Sequence, residues 1–209
     1  DRPLHGEHFG TGEFRSEVAN LSRNVVIESA DPEGVRGHTM YHRYSKGGIS
    51  YARFAHLGKE GVLGRYAIHF HLVGTTMRGS TVLGAAIVDS HNRWVTVHGT
   101  QYLMVRDCVG YQSVGHGFFL EDGTEVFILL DRNLGVQAFR GRRLPDQILP
   151  FDPNDGAAFW WANGRNTLTR NVAVENDRYG YRYDSQRRSN FDSNLEVLMP
   201  DGKTKTIDI

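Results

Sequence analysis

Ser90-His91-Asn92-Arg93-Trp94-Val95-Thr96-Val97-His98-Gly99-Thr100 and Ser113-Val114-Gly115-His116-Gly117-Phe118-Phe119-Leu120-Glu121-Asp122-Gly123 align at an offset of 23 residues. Each is a short apolar alternation that ends in a glycine-containing turn. A related segment returns as Asp155-Gly156-Ala157-Ala158-Phe159-Trp160-Trp161-Ala162-Asn163-Gly164. A second motif recurs as Arg23-Asn24-Val25-Val26, Arg106-Asp107-Cys108-Val109, Arg132-Asn133-Leu134-Gly135, Arg170-Asn171-Val172-Ala173 and Ser193-Asn194-Leu195-Glu196. The last four copies stand 26, 38 and 23 residues apart, which is one unit with variable insertions. Periods of about 20–50 residues signal solenoids or propellers. A propeller blade of about 40 residues holds four strands, whereas this 23-residue unit has room for two or three short ones. The sequence therefore predicts an all-β chain folded as a single-stranded parallel β-helix, a solenoid of about 23-residue coils. Asn or Asp at one turn position of every coil would then stack about 4.8 Å apart and satisfy turn backbone.

Outward from the repeat, short β-prone runs bounded by Gly, Asn or Asp are expected at 21–28, 38–44, 49–55, 67–73, 81–88, 94–98, 103–109, 117–120 and 126–130. No 12-residue stretch carries a helical period. Residues 1–20 read as an irregular N-terminal segment, 21–192 as the β-helix and 193–209 as a C-terminal strand or hairpin turning at Pro200-Asp201-Gly202-Lys203. The segment 137–154 breaks the repeat with Pro145, Pro150, Pro153, Arg140, Arg142 and Arg143, and reads as a loop leaving one coil.

Composition narrows the chemistry. The formal net charge of zero gives no support to a general attraction for nucleic acid or a membrane surface. Only Lys46, Lys59, Lys203 and Lys205 are lysines, so the other 20 of the 24 basic residues are arginine, the better bidentate partner for carboxylate or sulfate. A single cysteine, Cys108, leaves no intramolecular disulfide and reads as a buried structural thiol. No apolar run reaches the roughly 18 residues of a membrane span. The start, Asp1-Arg2-Pro3-Leu4, is neither a signal peptide nor an initiator methionine, and suggests a chain processed or cut from a longer protein with preceding domains.

Stacking the apolar positions gives the polar ones a geometry. In the run Gly64-Arg65-Tyr66-Ala67-Ile68-His69-Phe70-His71, residues two apart share a face. Matching Ile68 and Phe70 to Val95 and Val97, then to Phe118 and Leu120, places these inward. His69, Thr96 and Phe119 then form one outward column, and His71, His98 and Glu121 the next. Neighbours in a column lie about 4.8 Å apart and columns about 6.6–7 Å apart. His69, His71 and His98 thus outline a divalent-metal site for zinc or another transition metal. Glu121 or His116 would be the catalytic proton-transfer group. A metal-free alternative uses a neutral histidine as general base, with Arg65 or Arg93 neutralising an acidic sugar. Arg140, Arg142, Arg143 and Trp161 are further candidates for binding substrate. The alternative of three hydrogen-bonded surface histidines stays open at this stage.

The segments Leu21-Ser22-Arg23-Asn24-Val25, Gly64 to His71 and Asn92 to Gly123 resemble the parallel β-helix region that follows the G8 domain in the cell-migration-inducing hyaluronan-binding protein and its transmembrane relative, and in bacterial G8-type proteins. Ala158 to Asn163 and Tyr179-Gly180-Tyr181 resemble the family's next coil, so the likeness runs over residues 16–185. It implies an extracellular, right-handed β-helix tied to hyaluronan binding or depolymerisation. His69-Phe70-His71, Val97-His98-Gly99 and Gly115-His116-Gly117-Phe118-Phe119-Leu120-Glu121-Asp122-Gly123 match the family's shared core motif. The expected partner is an acidic polysaccharide. The expected function is a hydrolase or lyase acting on it, with a non-catalytic binding, adhesion or structural module as the alternative.

Overall fold

A computed structural model describes residues 10–12, 14–147, 149, 151–185 and 194–209. His5 and His8, part of the expected N-terminal segment, lie outside the described residues. Three parallel sheets build a β-helix. One, the site sheet, stacks Thr39–His42, Ile68–Gly74, Val95–Thr100, Phe118–Leu120, Ala157–Trp161 and Tyr179–Tyr183. The second stacks Ile49–Ser50, Thr81–Leu83, Met104–Arg106, Leu129–Asp131 and Thr167–Thr169. The third stacks Val25–Glu28, Ala52–Ala55, Ala86–Ser90, Val109–Val114, Leu134–Phe139 and Val172–Val174. The chain visits the sheets in rotation, so every strand pairs with its counterpart one coil away.

The register reproduces the expected stacking. Val95 lies opposite Ile68 on one side and Phe118 on the other. Thr96 lies between His69 and Phe119, and His98 beside His71. The period is less regular than 23 residues. Val95 to Phe118 spans 23, but Phe118 pairs with Phe159, a coil of 41 that carries the 140–155 insertion.

The strands are also shorter than the sequence suggests. The expected runs 49–55, 81–88 and 103–109 each divide in two, at Tyr51 (φ 50°), Gly84 (φ 61°) and Asp107 (φ 55°). One left-handed residue turns the chain from the second sheet to the third without disturbing the apolar alternation that merged the two strands in sequence. Each such non-glycine residue costs about 1–2 kcal/mol, offset by contacts between coils. At the next coil Arg132 (φ 52°) stacks on Asp107 and donates from Nε and Nη2 to its two carboxylate oxygens, both at 2.8 Å.

The asparagine ladder forms, one residue off its expected register at one coil. Asn133 Oδ1 accepts the Cys108 N–H (3.1 Å), and Asn133 Nδ2 donates to Asn171 Oδ1 (3.0 Å). Val109 opposite Leu134 sets an offset of 25, not 26, so Cys108 rather than Asp107 occupies the ladder row. Asp107 is consumed as the left-handed corner.

Inside, Ile68, Val95, Phe118 and Phe159 form one buried row and Phe70, Val97 and Leu120 another. Trp94 fills the coil interior, where Gly110 and Gly117 make room: a Cβ at either would sit 2.2 Å from the indole. Cys108 is buried, and burial pushes its thiol up to about 12.

The outer side of the site sheet is covered. His69, Thr96, Phe119 and Trp160 are at most 2% exposed. Over the first two lies the 57–66 loop, which Asn92 Nδ2 ties down by donating to the Lys59 (3.1 Å) and Val62 (2.9 Å) carbonyls. Over Phe119 and Trp160 lies the 140–155 loop, with Leu149 and Phe151 in a second apolar cluster. At these middle strands the site sheet is therefore buried on both faces, and a cavity can form under its cover. At the C-terminal end, Asn194–Leu198 and Thr204–Asp208 make an antiparallel hairpin held to the solenoid partly by Arg165 Nε on the Asp208 carbonyl (2.8 Å). No helix among the described residues is long and apolar enough to cross a membrane.

Candidate functional site

Three neighbouring coils deliver His69, His71, His98 and Glu121 to one cavity of about 240 Å³, lined also by Met40, Leu63, Gly64 and Arg65. The strand alternation puts His69 and His71 on the same side, and the parallel register sets His98 beside His71. One ring nitrogen from each of the three histidines lies within 4.8 Å of the others.

Each buried ring is fixed from behind. His69 Nδ1 lies 3.1 Å from the Gly64 carbonyl, which can only accept, so Nδ1 carries the proton. Its Nε2 is left as a bare lone pair, buried and without a hydrogen-bond partner. Burial drives the His69 pKa down to about 3, helped by His71, His98 and Arg93, so the ring is neutral at physiological pH. His98 Nε2 lies 3.2 Å from Asp122 Oδ2, which leaves Nδ1 facing His71 Nδ1 at 3.2 Å. Burial disfavours charge on His98, yet the Asp122 and Glu121 carboxylates outweigh it and raise its pKa above the ordinary value. His71 is half-buried, and burial together with His98, His42 and Arg43 lowers its pKa.

Glu121 closes the arrangement. Its Oε2 lies 3.6 Å from His98 Nδ1 and 3.9 Å from His69 Nε2. Its Oε1 accepts from the Tyr66 hydroxyl (3.1 Å) and faces Arg93 Nη1 at 3.7 Å. Three imidazole nitrogens and a carboxylate, two of the rings oriented by an outer carbonyl or carboxylate, form a donor set that suits zinc or another transition metal. The unpartnered His69 Nε2 is the observation that favours a ligand over a satisfied histidine.

The remaining sequence candidates separate. Arg65 lines the cavity, and Arg140, Arg142 and Arg143 are exposed on the covering loop. Three expectations are corrected. His116 is wholly buried, with Nε2 on Asp152 Oδ1 (2.8 Å) and Nδ1 accepting the Ala157 N–H (3.0 Å). Both nitrogens are used, so it has none to offer a substrate. Arg93 is 0% exposed beneath Tyr66 and Phe119 and reaches two protein carboxylates instead of a sugar. Trp161 follows outward-facing Trp160 by one residue, points to the other side and packs against the core.

The sequence reading missed four participants. Asp122 follows Glu121 directly, and on a continuing strand it would point away from it, but the strand ends at Leu120 and Asp122 lies in the turn. Tyr66 and Asp152 come from the two covering loops, where no periodicity reports position. His42 lies opposite His71 one coil earlier, their rings 5.3 Å apart, and extending the histidine column by one coil would have found it.

Comparison with known proteins matches residues 34–208 to the family described as CEMIP beta-helix. Fibrocystin-L of Mus musculus is 34% identical over 92% of this chain and 5% of its own length. Cell surface hyaluronidase CEMIP2 of Homo sapiens is 32% identical over 86% of the chain and 16% of its own length. Cell migration-inducing and hyaluronan-binding protein of Homo sapiens is 29% identical over 85% and 16%. The chain thus spans a small part of the length of the curated relatives it matches.

Proposed function

The chain belongs to the CEMIP beta-helix family, and from that premise we propose that it is an extracellular, metal-binding β-helix that binds and depolymerises an acidic, hyaluronan-like polysaccharide. The observation that carries the metal reading is the convergence of three histidine nitrogens within 4.8 Å, one of them a buried lone pair without a partner, beside Glu121. The polysaccharide follows from relatives whose names state hyaluronidase or hyaluronan binding.

In this reading His69 Nε2, His98 Nδ1 and His71 hold the ion. A divalent cation, when bound there, would supply positive charge and Lewis acidity. Arg65, at the wall of the cavity, pairs with a uronate carboxylate. Glu121 takes or returns the proton at Oε2, while Tyr66 and Arg93 hold Oε1. Glu121 is the one carboxylate among the lining residues. A two-carboxylate hydrolysis needs a second about 5–9.5 Å away, and Asp122 is engaged by His98.

A non-catalytic polysaccharide-binding module is the second reading, favoured by the three exposed arginines on the covering loop. The test uses the purified chain, stripped with chelator, titrated with zinc by calorimetry and then incubated with hyaluronan. One bound ion per chain and metal-dependent shortening of the polymer are expected; ultraviolet-absorbing unsaturated ends would identify elimination, and new reducing ends alone hydrolysis. Retention on immobilised hyaluronan without shortening would establish the binder. A chain that neither takes up zinc nor touches the polymer overturns the proposal.

A further inference from the structure

Behind the cavity, one arginine is shared between two carboxylates. Arg93 lies between aromatic faces, its Cζ 3.6 Å from the Phe119 ring centre and 4.9 Å from that of Tyr66. Nη1 is 3.7 Å from Glu121 Oε1 and Nη2 is 3.5 Å from Asp152 Oδ2. Neither contact is a tight hydrogen bond: Nη2 and Asp152 Oδ2 are both buried without one. The cation is thus divided almost evenly between the two acids.

The two acids are not equally free. Asp152 Oδ1 is anchored by His116 at 2.8 Å, and Asp152 is 1% exposed, so its charge stays behind the cavity. Glu121 turns Oε2 toward His98 and His69. Two carboxylates against one guanidinium leave one negative charge unbalanced, and the anchoring of Asp152 assigns it to the cavity side. Were Asp152 uncharged, the whole attraction of Arg93 would fall on Glu121, neutralising it and drawing it from the histidines.

We propose that Asp152 is a positioning residue that, through Arg93, keeps the charge of Glu121 available to a divalent cation held by the three histidines. The inference rests on the metal reading above. It assigns the 140–155 loop a role in tuning the cavity as well as covering it.

Asp152→Asn keeps the shape and removes the charge. Zinc titration of the full chain should show affinity reduced by up to about 10-fold, the low end of the range for residues bonded directly to a metal ligand, since Asp152 acts one step further back through Arg93, with one ion per chain retained. In an E121Q background the same change should cost almost nothing further, a coupling that general loosening would not produce. Because D152N leaves a buried arginine with one fewer partner, Arg93→Met/Asp152→Asn is the companion variant: with the competing cation gone, zinc affinity should return to near that of the wild type. Equal affinities of wild type and D152N, or an equal loss in both backgrounds, or no recovery in the double variant, overturns the inference while leaving the metal site standing. A wild-type chain that binds no zinc removes the metal reading and this inference together.

Discussion

Two histidine clusters lie under the cover of one sheet, and they differ in what their ring nitrogens touch. At His116 every valence is met: one nitrogen on Asp152, the other on a backbone N–H, with Phe119 stacked at 5.3 Å and Trp160 at 6.0 Å. At His69 one nitrogen meets a carbonyl and the other faces the cavity with no partner. Both residues are buried and both have a carboxylate near. Burial and residue type therefore do not separate a satisfied histidine from a candidate ligand; the accounting of lone pairs does. Arg93 joins the clusters, so the structural one sets the electrostatics of the other.

The largest expected effect lies on the structural side. His116→Ala leaves the Ala157 N–H without its acceptor, leaves Asp152 Oδ1 with only the Asn154 N–H (3.0 Å), and opens a cavity under Phe119, and should together cost about 3 kcal/mol or more. Denaturant unfolding measures this. Metal analysis of the folded fraction should still find one ion per chain. If His116→Ala removed the ion while leaving stability unchanged, the assignment of the two clusters would be reversed.

Next comes the functional side. His71→Ala or His98→Ala should weaken zinc binding by more than about 100-fold, beyond the range for outer-layer residues, or roughly 2.7 kcal/mol. His71 is half-buried, so its removal should leave the unfolding midpoint near that of the wild type. Calorimetric titration beside a melting curve checks both. Unchanged zinc affinity in both variants would return the cluster to hydrogen-bonded histidines.

The contrast also shows how far the sequence carries. Alternation chose the face of His69 and His71, and the 23-residue offset placed His98 and Glu121 beside them; each rests on a period, and periods survive in sequence. Tyr51, Asp107 and the other left-handed corners are single residues that leave the alternation intact, so paired strands read as one. Asp152 reaches His116 across 36 residues from an irregular loop, and nothing periodic reports such a contact. The cover over the outward columns is unreadable for the same reason: covering loops have no pattern that says where they lie.

Acid should separate the clusters next. Burial alone would raise the Asp152 pKa, but His116 and Arg93 override it and hold the group at about 2. The ordinary aspartate value is about 3.9, so ionised Asp152 contributes about 2 kcal/mol of stability at neutral pH. That contribution is present above about pH 4 and lost as pH falls through about 2. Melting curves between these limits should fall more steeply for the wild type than for D152N. Parallel curves would mean that the carboxylate gains nothing from its partners.

The smallest effect concerns the exposed arginines of the covering loop. Arg140 and Arg142 point to solvent, and single exposed ion pairs are worth about 0–1 kcal/mol each. Arg140→Gln/Arg142→Gln should therefore reduce retention on immobilised hyaluronan by a few-fold, flatten its dependence on salt, and leave zinc affinity and stability unchanged. Arg143 differs, because its Nε donates to the Asp152 carbonyl at 3.4 Å. Adding Arg143→Gln removes a third surface charge and also one restraint on the residue that holds Arg93. If the two clusters communicate through Asp152, this third change alone should shift zinc affinity, by less than D152N does. Should the first two shift it equally, long-range charge rather than the Asp152–Arg93–Glu121 chain would govern the cavity.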